Sequence, residues 1–347
     1  MPTSPWNRRR CLGAMSAVSA SSALSTLRSL HTLSLGGAAA AAAGAAQAQA
    51  FPQRPLRIVV PWAPGGLVDI GGRLLAEGLA RALGQGASAE NVPGAAGTLG
   101  ADQVVRAPAD GHTLLMATSS IAIDVAGGRK TPYDPQKDLT PVALLADSHS
   151  VIVVPTGAPH RTLAELITAA KAKPGEFSYG TPGVGSPAHL FSELLAQSAG
   201  VQMLHVPYGR SPALTDLIGG RLSLMVATIP VALPQIRGGA LRALAVTGRQ
   251  RFTALPEVPT VAEAGVASYE AGQWLGVFAP AATPKDTVLR LAGEVARLLA
   301  MPATVQALVQ RGLEPRPGGP DELARALAAD IRKWGQVMRT GAIKLEG

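Results

Sequence analysis

The sequence is poor in cysteine, aromatic residues and charge. It has one cysteine in 347 residues, Cys11, and only 4% of its side chains are aromatic and 16% charged. A lone cysteine excludes an internal disulfide, and its position in a predicted leader also excludes thiol catalysis and cysteine–zinc sites in the mature protein. The formal net charge is +8, but the basic residues are scattered and not interleaved with aromatic side chains, so nucleic acid is not an expected partner.

The first 50 residues have the composition of an export signal, because they contain several arginines and no acidic residue. The basic segment 7–12 loosely matches a twin-arginine motif, a small-residue apolar run follows at 33–46, and Ala48-Gln49-Ala50 is an A-x-A cleavage site. A membrane anchor is the alternative, but Arg28 and His31 interrupt the apolar stretch, which is then shorter than the ~20 residues of a membrane span. We predict cleavage after Ala50, by the Sec or the twin-arginine route, and a periplasmic protein.

Strand-like and helix-like segments alternate after the leader, which predicts an α/β fold with parallel sheets covered by helices. The predicted strands are Leu56–Pro61, Thr113–Ala117, Val151–Val154, Phe177–Tyr179, Met203–Tyr208, Leu222–Val226 and Leu241–Thr247. The predicted helices between them are Ile70–Leu83, Thr162–Lys171, Ala188–Ala199 and Pro212–Ile218. From Pro284 onward the pattern predicts helices only, at Val288–Leu299, Ala303–Arg311 and Asp321–Met338.

Two uninterrupted apolar strands, near Val142–Val154 and Leu241–Thr247, bracket a block that is itself a complete α/β unit. The chain is therefore expected to form one domain from residues 51–145 and 250–347 and a second from 146–249. Two crossings between domains make a hinge with a cleft, where ligand pockets are favoured.

The segment RIVVPWAPGGLVD, Arg57 to Asp69, predicts an anion site. A strand, a two-glycine turn at Gly65-Gly66 and a helix start together present backbone N–H groups at the positive end of a helix dipole. Trp62, Pro64 and Asp69 belong to the same candidate site. Asp69 alone is equally well explained as an ordinary first-turn acid.

Further strand-to-helix turns are expected to face the same cleft. The hydroxyls of Thr118, Ser119 and Ser120, after the predicted strand Thr113–Ala117, can donate to a carboxylate, although such residues also cap helices. The turn at 180–187 follows a strand and opens a helix with Pro187 at its first position. The complete set of candidate ligand-binding residues is Trp62, Pro64, Gly65, Gly66, Asp69, Ser119, Ser120, Thr181, Gly183, Gly185, Ser186 and Thr228.

Enzyme, cofactor and metal signatures are weak. The segment 183–188 satisfies the G-x-G-x-x-A dinucleotide pattern, but the acidic residue that should follow the next strand is missing. His189 and Glu193 lie one helical turn apart and have no third metal ligand, so a surface pair is the better interpretation. The other histidines, His205 among them, are isolated in the sequence. We therefore expect no catalytic residue, no cofactor and no metal.

The pieces resemble the Bug family, the TctC-like extracytoplasmic solute receptors of tripartite tricarboxylate transporters. The similarity covers essentially the whole chain after residue 50. It is carried by the glycine-turn segment above and by Glu90–Gly94, Gly100–Asp102, Pro108–Leu115, Tyr133–Pro135, Lys137–Leu139, His205–Tyr208, Pro212–Leu217, Leu241–Thr247, Pro259–Gly265 and Phe278–Pro280.

This resemblance implies a two-domain fold of the periplasmic-binding-protein type (type II) that closes on a small carboxylate held by main-chain groups. It implies a monomer that serves membrane permease subunits and performs no covalent chemistry. A periplasmic ligand sensor for a membrane kinase and a secreted hydrolase using the same cleft are the alternatives.

The sequence departs from the family pattern where a ligand ammonium group would need an acid. Pro187 and Ala188 stand in place of further hydroxyls, and Ala227 stands where an acidic residue is common. These departures predict a ligand without an ammonium group. Trp62 offers such a ligand an aromatic face.

The leader makes a direct prediction: protein recovered from the periplasm begins at Phe51. N-terminal sequencing or intact mass measurement decides it. A mature protein that retains Cys11 would contradict the proposed cleavage.

Overall fold

A computed structural model describes residues 51–209 and 213–345 of the chain. The predicted export signal at 1–50 lies outside the described residues, as do Arg210 to Pro212, where the predicted helix Pro212–Ile218 begins. Among the residues that the structure describes, no helix is long and apolar enough to span a membrane.

Eleven strands form three sheets within this described part of the chain. The strands are β1 (Leu56–Val60), β2 (Ala87–Asn91), β3 (Thr113–Thr118), β4 (Leu139–Ser148), β5 (Ser150–Pro155), β6 (Ser178–Thr181), β7 (Leu204–Pro207), β8 (Met225–Thr228), β9 (Leu241–Val246), β10 (Gln273–Pro280) and β11 (Glu314–Gly318). A six-stranded sheet has the order β11-β4-β10-β3-β1-β2, a three-stranded sheet has the order β8-β5-β9, and β6 pairs with β7.

Ten α-helices connect or cover these strands in the described residues. They are α1 (Leu67–Leu83), α2 (Thr98–Val105), α3 (Ser120–Ala126), α4 (Leu163–Ala172), α5 (Pro187–Ala199), α6 (Ala213–Ile218), α7 (Ile229–Arg237), α8 (Lys285–Leu299), α9 (Pro302–Gln310) and α10 (Pro320–Thr340). The α/β class predicted from the alternating pattern is therefore confirmed.

Helices cover both faces of the large sheet. Because side chains alternate along β1, the strand contacts helices on both faces. Ile58 and Val60 join a buried cluster with Leu75 of α1 and Leu291 of α8. Val59, between them, points to the other face and joins a cluster with α2 and α10. Such double coverage explains why β1 is apolar at every position except Arg57 and is easily recognised in the sequence.

The expectation of purely parallel sheets is wrong. The β1 strand is parallel to β2 and β3, but β10 is antiparallel to β3 and β4, and β5 is antiparallel to β8 and β9. Two parallel strands that follow one another in the chain need a crossover connection. The chain between β4 and β10 instead forms β5 to β9, which belong to the other two sheets, and β10 then pairs antiparallel with β4.

The expectation of helices only after Pro284 is also wrong, because β11 pairs with β4 at the edge of the large sheet. The predicted strand near Val142–Val154 is two strands in different sheets, β4 and β5, separated by His149. The strands β2 and β10 were not predicted from the sequence pattern.

The His149 ring lies against two glycine backbones at this crossing. A Cβ added at Gly248 would lie 2.8 Å from His149 Cγ, and one at Gly272 would lie 2.8 Å from His149 Nδ1.

Phe252 and the residues around it pack with β5 and β9, in the three-stranded sheet. The domain boundaries at 145 and 249 stay a prediction.

Candidate functional site

The ends of strands β1, β3 and β8 and the helix starts that follow them border one cavity of about 450 Å³. This volume is in the usual range for a small-molecule site. The first wall of the cavity consists of Trp62, Gly65, Gly66, Leu67, Val68, Ile70, Thr118, Ser120 and Gln273. The second wall consists of Pro187, Thr228, Pro230 and Val231.

The glycine turn leads directly into helix α1. Gly65 has φ +84°, a conformation that glycine adopts without the strain of a side chain, and Gly66 is the N-cap of α1 with φ −81°. A Cβ at Gly65 would meet nothing within 4 Å. The backbone of this turn is therefore open to a ligand.

The Asp69 carboxylate holds the turn in place and does not line the cavity. Its Oδ2 accepts the Gly65 N–H at 2.9 Å and the Arg73 Nε at 3.0 Å, and its Oδ1 accepts the Asn91 amide at 2.9 Å. Asn91 also donates to the Trp62 carbonyl at 3.0 Å. Both oxygens of Asp69 thus already accept hydrogen bonds from the protein. Direct ligand contact by Asp69 stays a prediction.

The pKa of Asp69 reflects the same contacts. Its side chain is buried, which raises the pKa, but the hydrogen bonds from Arg73, Gly65 and Asn91 outweigh burial, so that the pKa lies below its ordinary value. The carboxylate is therefore ionised at neutral pH, and its charge is compensated by Arg73.

The N–H groups available to a ligand lie one step further along the chain than the sequence suggested. The Gly65 N–H is taken by Asp69. The first turn of α1 leaves the N–H groups of Gly66, Leu67 and Val68 without an intrahelical acceptor, and no other described residue accepts from them. These donors, at the positive end of a 17-residue helix, form the part of the first wall best suited to a carboxylate.

Hydroxyl groups extend the first wall at the end of β3. Thr118 Oγ1 and Ser120 Oγ lie 2.9 Å apart, and both residues line the cavity. Ser119 is fully buried between them, and its Oγ has no hydrogen-bond partner among the described residues. The sequence indicated a hydroxyl turn at 118–120, but Thr118 was not among the twelve candidate residues, and it is Thr118 and Ser120 that line the cavity.

Gly183 and Gly185, in the turn before α5, donate to acceptors within the protein, and none of residues 181–186 lines the cavity. The Gly183 N–H donates to Thr181 Oγ1 at 3.2 Å, and the Gly185 N–H donates to His189 Nδ1 at 3.1 Å. Ser186 caps α5 by accepting the His189 N–H at 3.3 Å, and its hydroxyl donates to the Gly183 carbonyl. Leu345 covers Gly185, where a Cβ would lie 2.0 Å from Leu345 Cδ2.

His189 and His205 form a buried stack below this turn. Their ring centroids lie 3.8 Å apart, His205 Nε2 lies 2.6 Å from Thr181 Oγ1, and Tyr179 donates to Glu193 beside them. The interpretation of His189 and Glu193 as a surface pair is wrong, because His189 is only 5% exposed and its ring accepts a backbone N–H. His205 is not isolated either. Burial, together with the neighbouring His205, lowers the pKa of His189 to about 4.

The structure places five of the twelve candidate residues on the cavity: Trp62, Gly65, Gly66, Ser120 and Thr228. The other seven lie beside or behind it: Pro64, Asp69, Ser119, Thr181, Gly183, Gly185 and Ser186. Residues that sequence reasoning did not select also line it: Leu67, Val68, Ile70, Thr118, Pro187, Pro230, Val231 and Gln273.

Other hollows do not combine these features. A surface hollow of about 640 Å³ lies among loops around 155–160, 176–178 and 218–223, away from the starts of α1, α3 and α7. Within the described residues, no group of three or more His, Cys, Asp or Glu side chains is placed to hold a metal ion.

Comparison with known proteins identifies the family. Residues 72–343 match the model of the tripartite tricarboxylate transporter family receptor, and the chain belongs to this family. The resemblance seen in the sequence is therefore confirmed, together with the two-domain fold of periplasmic binding proteins.

Individual relatives agree with this assignment. The chain is 40% identical to a UPF0065 protein from the tcbD–tcbE intergenic region of a Pseudomonas species, over 82% of this chain and 85% of that protein. A Rhodopseudomonas palustris protein solved with adipate is 36% identical, with a TM-score of 0.73 over 85% of this chain and 99% of the other. MatC from the same organism, solved with malate, is 34% identical, with a TM-score of 0.69 over 83% and 99%.

The Asp69 network makes a prediction about Asp69→Asn. The amide loses one acceptor oxygen and the charge that Arg73 neutralises, so we expect the free energy of unfolding to fall by about 1–3 kcal/mol. Asp286→Asn is the matched control, because Asp286 is an exposed first-turn acid of α8. Urea unfolding measures both variants, and equal effects would show that the network does not hold the turn.

The buried histidine stack makes a pH prediction. Because the folded pKa of His189 is about 4, below the unfolded value of 6.5, the fold favours the neutral ring. That contribution is fully present above pH 6.5 and is lost as the pH falls from 6.5 toward 4. His189→Asn retains an acceptor for the Gly185 N–H but does not titrate, so its urea midpoint should fall less steeply in this window. Parallel curves for both proteins would contradict the assignment.

Proposed function

We propose that this protein is a periplasmic receptor that captures a small organic carboxylate and delivers it to the permease subunits of a tripartite transporter. The observation that supports it most directly is the first turn of α1: Gly66, Leu67 and Val68 line the cavity, and their N–H groups have no acceptor among the described residues. Binding there needs no covalent chemistry, no metal and no cofactor.

Several features support a carboxylate rather than another anion. Hydroxyls at Thr118 and Ser120 and the Gln273 amide add neutral donors of the kind that hold a carboxylate. Related proteins have been solved with adipate and with malate, which are both small organic carboxylates. In this proposal one predicted domain (51–145 with 250–347) and the other (146–249) close on each other when the ligand contacts both walls.

The alternatives predict different outcomes with the same ligand. A hydrolase would convert a bound ester or amide, whereas the receptor returns its ligand unchanged. A sensor would bind the ligand equally well but would not be needed for uptake. Uptake of labelled ligand by cells that lack this gene separates transport from sensing.

The central test is thermal shift against a panel of small carboxylates. Ligand at 100 times Kd stabilises the folded state by about 2.7 kcal/mol, which is a clear rise in Tm. Failure of every carboxylate to raise the Tm of the native chain would contradict the proposal.

The Gly66→Val variant tests the site itself. Valine at Gly65 would strain a positive φ, whereas Gly66 has φ −81° and its Cβ would meet only the Ala63 carbonyl, at 3.7 Å. We expect Gly66→Val to lose the ligand-dependent rise because its side chain covers the N–H groups. Gly319→Val is the matched control, an N-cap glycine of α10 with φ −83° and open space around it. Normal ligand binding by Gly66→Val would place the site elsewhere.

A further inference from the structure

The two walls of the cavity differ in the number of hydrogen-bond donors that they offer. The first wall carries the N–H groups of α1 and the hydroxyls of Thr118 and Ser120. The second wall consists of Pro187, Thr228, Pro230 and Val231, so that three of its four side chains are apolar.

Proline removes a donor from each helix start on the second wall. Pro187 is the first residue of α5, and Pro230 is the second residue of α7. Neither has a backbone N–H, so the two helix starts lack a donor at these positions. The Ile229 N–H, the first of α7, is directed to the His149 carbonyl at 3.5 Å.

The turn that precedes α5 does not compensate for the missing donors. The N–H groups of Gly183, Gly185 and Ser186 all have acceptors within the protein. None of the thirteen described residues that line the cavity carries a charge. A second carboxylate placed against this wall would give up its hydration and gain no cation, and the lining residues of the wall would offer it only the Val231 N–H and the Thr228 hydroxyl as donors.

Apolar side chains of both walls face the same space. Seven of the thirteen lining residues are apolar, and Val231 is 52% exposed although it is a large hydrophobic residue. Trp62 lines the same cavity. Exposed apolar surface next to a polar donor cluster fits a ligand with one charged end and an apolar body.

We infer that the ligand is a monocarboxylate with an aliphatic or aromatic body and not a dicarboxylate. This inference depends on the proposed function, because it assumes that the cavity binds a carboxylate at the start of α1. The carboxylate lies against the N–H groups of Gly66, Leu67 and Val68. The body extends over Trp62 toward Pro187, Pro230 and Val231.

Calorimetry with pairs of ligands of equal carbon number tests the inference. The pairs are butanoate and succinate, hexanoate and adipate, and octanoate and suberate, with benzoate as the aromatic probe. In the pair that binds most tightly, we expect the monocarboxylate to bind at least tenfold more tightly, which corresponds to about 1.4 kcal/mol. A dicarboxylate that binds as tightly as its monocarboxylate would overturn the inference and leave the proposed function intact. If none of these ligands binds, the proposed function fails as well.

A gain-of-function variant gives an independent arm. Val231→Lys places a cation on the second wall at an exposed position, and Val231→Met is the matched control with a long uncharged side chain. We expect Val231→Lys to bind the dicarboxylate of the best pair at least tenfold more tightly than Val231→Met does. Equal dicarboxylate affinity in both variants would show that the second wall does not contact the distal end of the ligand.

Discussion

The contact between the Asp69 carboxylate and the Gly65 N–H is the interaction on which the candidate site depends. It links the turn after β1 to the first turn of α1 across 2.9 Å, and Asn91 extends the link to the Trp62 carbonyl. Without it, the glycine pair would be free to adopt many conformations, since glycine restricts the backbone least. A buried acid thus gives a fixed shape to a segment that has almost no side chains of its own.

This arrangement also explains how an acidic residue can lie next to an anion site. The Asp69 carboxylate is held by Arg73 and the side-chain amide of Asn91 and does not line the cavity, whereas Leu67 and Val68, at the positive end of the helix, do line it. The guanidinium of Arg73 neutralises the carboxylate locally. The helix dipole is therefore not cancelled at the point where a ligand carboxylate would lie.

Sequence reasoning succeeded where one local signal determines the structure. The run Ile58 to Val60, the glycine pair and the apolar period of α1 identify a strand, a turn and a helix without help from distant residues. It failed where partners are remote in the sequence. Edge strand β11 contains two prolines and follows no alternating pattern, and only its pairing with β4 makes it a strand. The His189–His205 stack joins α5 to β7, a contact that spacing along the chain does not indicate.

The same limit applies to the cavity. The Gly65-Gly66 turn indicated where the first wall lies, because such turns act through their own backbone, although the available N–H groups are those of Gly66, Leu67 and Val68. Nothing in the local sequence marks Pro230, Val231 or Gln273 as lining residues. They line the cavity because the end of β8 and the start of β10 lie beside the end of β1. Chain topology, not residue type, made them part of the site.

Under the proposed function, the two walls take different parts in closing the cleft. A ligand shifts a conformational equilibrium only by the difference between its affinities for the two states. The N–H groups of Gly66, Leu67 and Val68 belong to one segment, so their contacts with a carboxylate are the same whether the cleft is open or closed. Contacts with Pro187, Pro230 and Val231 form only when the second wall reaches the ligand, and each Å² of apolar surface buried there contributes about 25 cal/mol. The carboxylate therefore fixes where the ligand binds, and the apolar body determines how strongly binding favours closure.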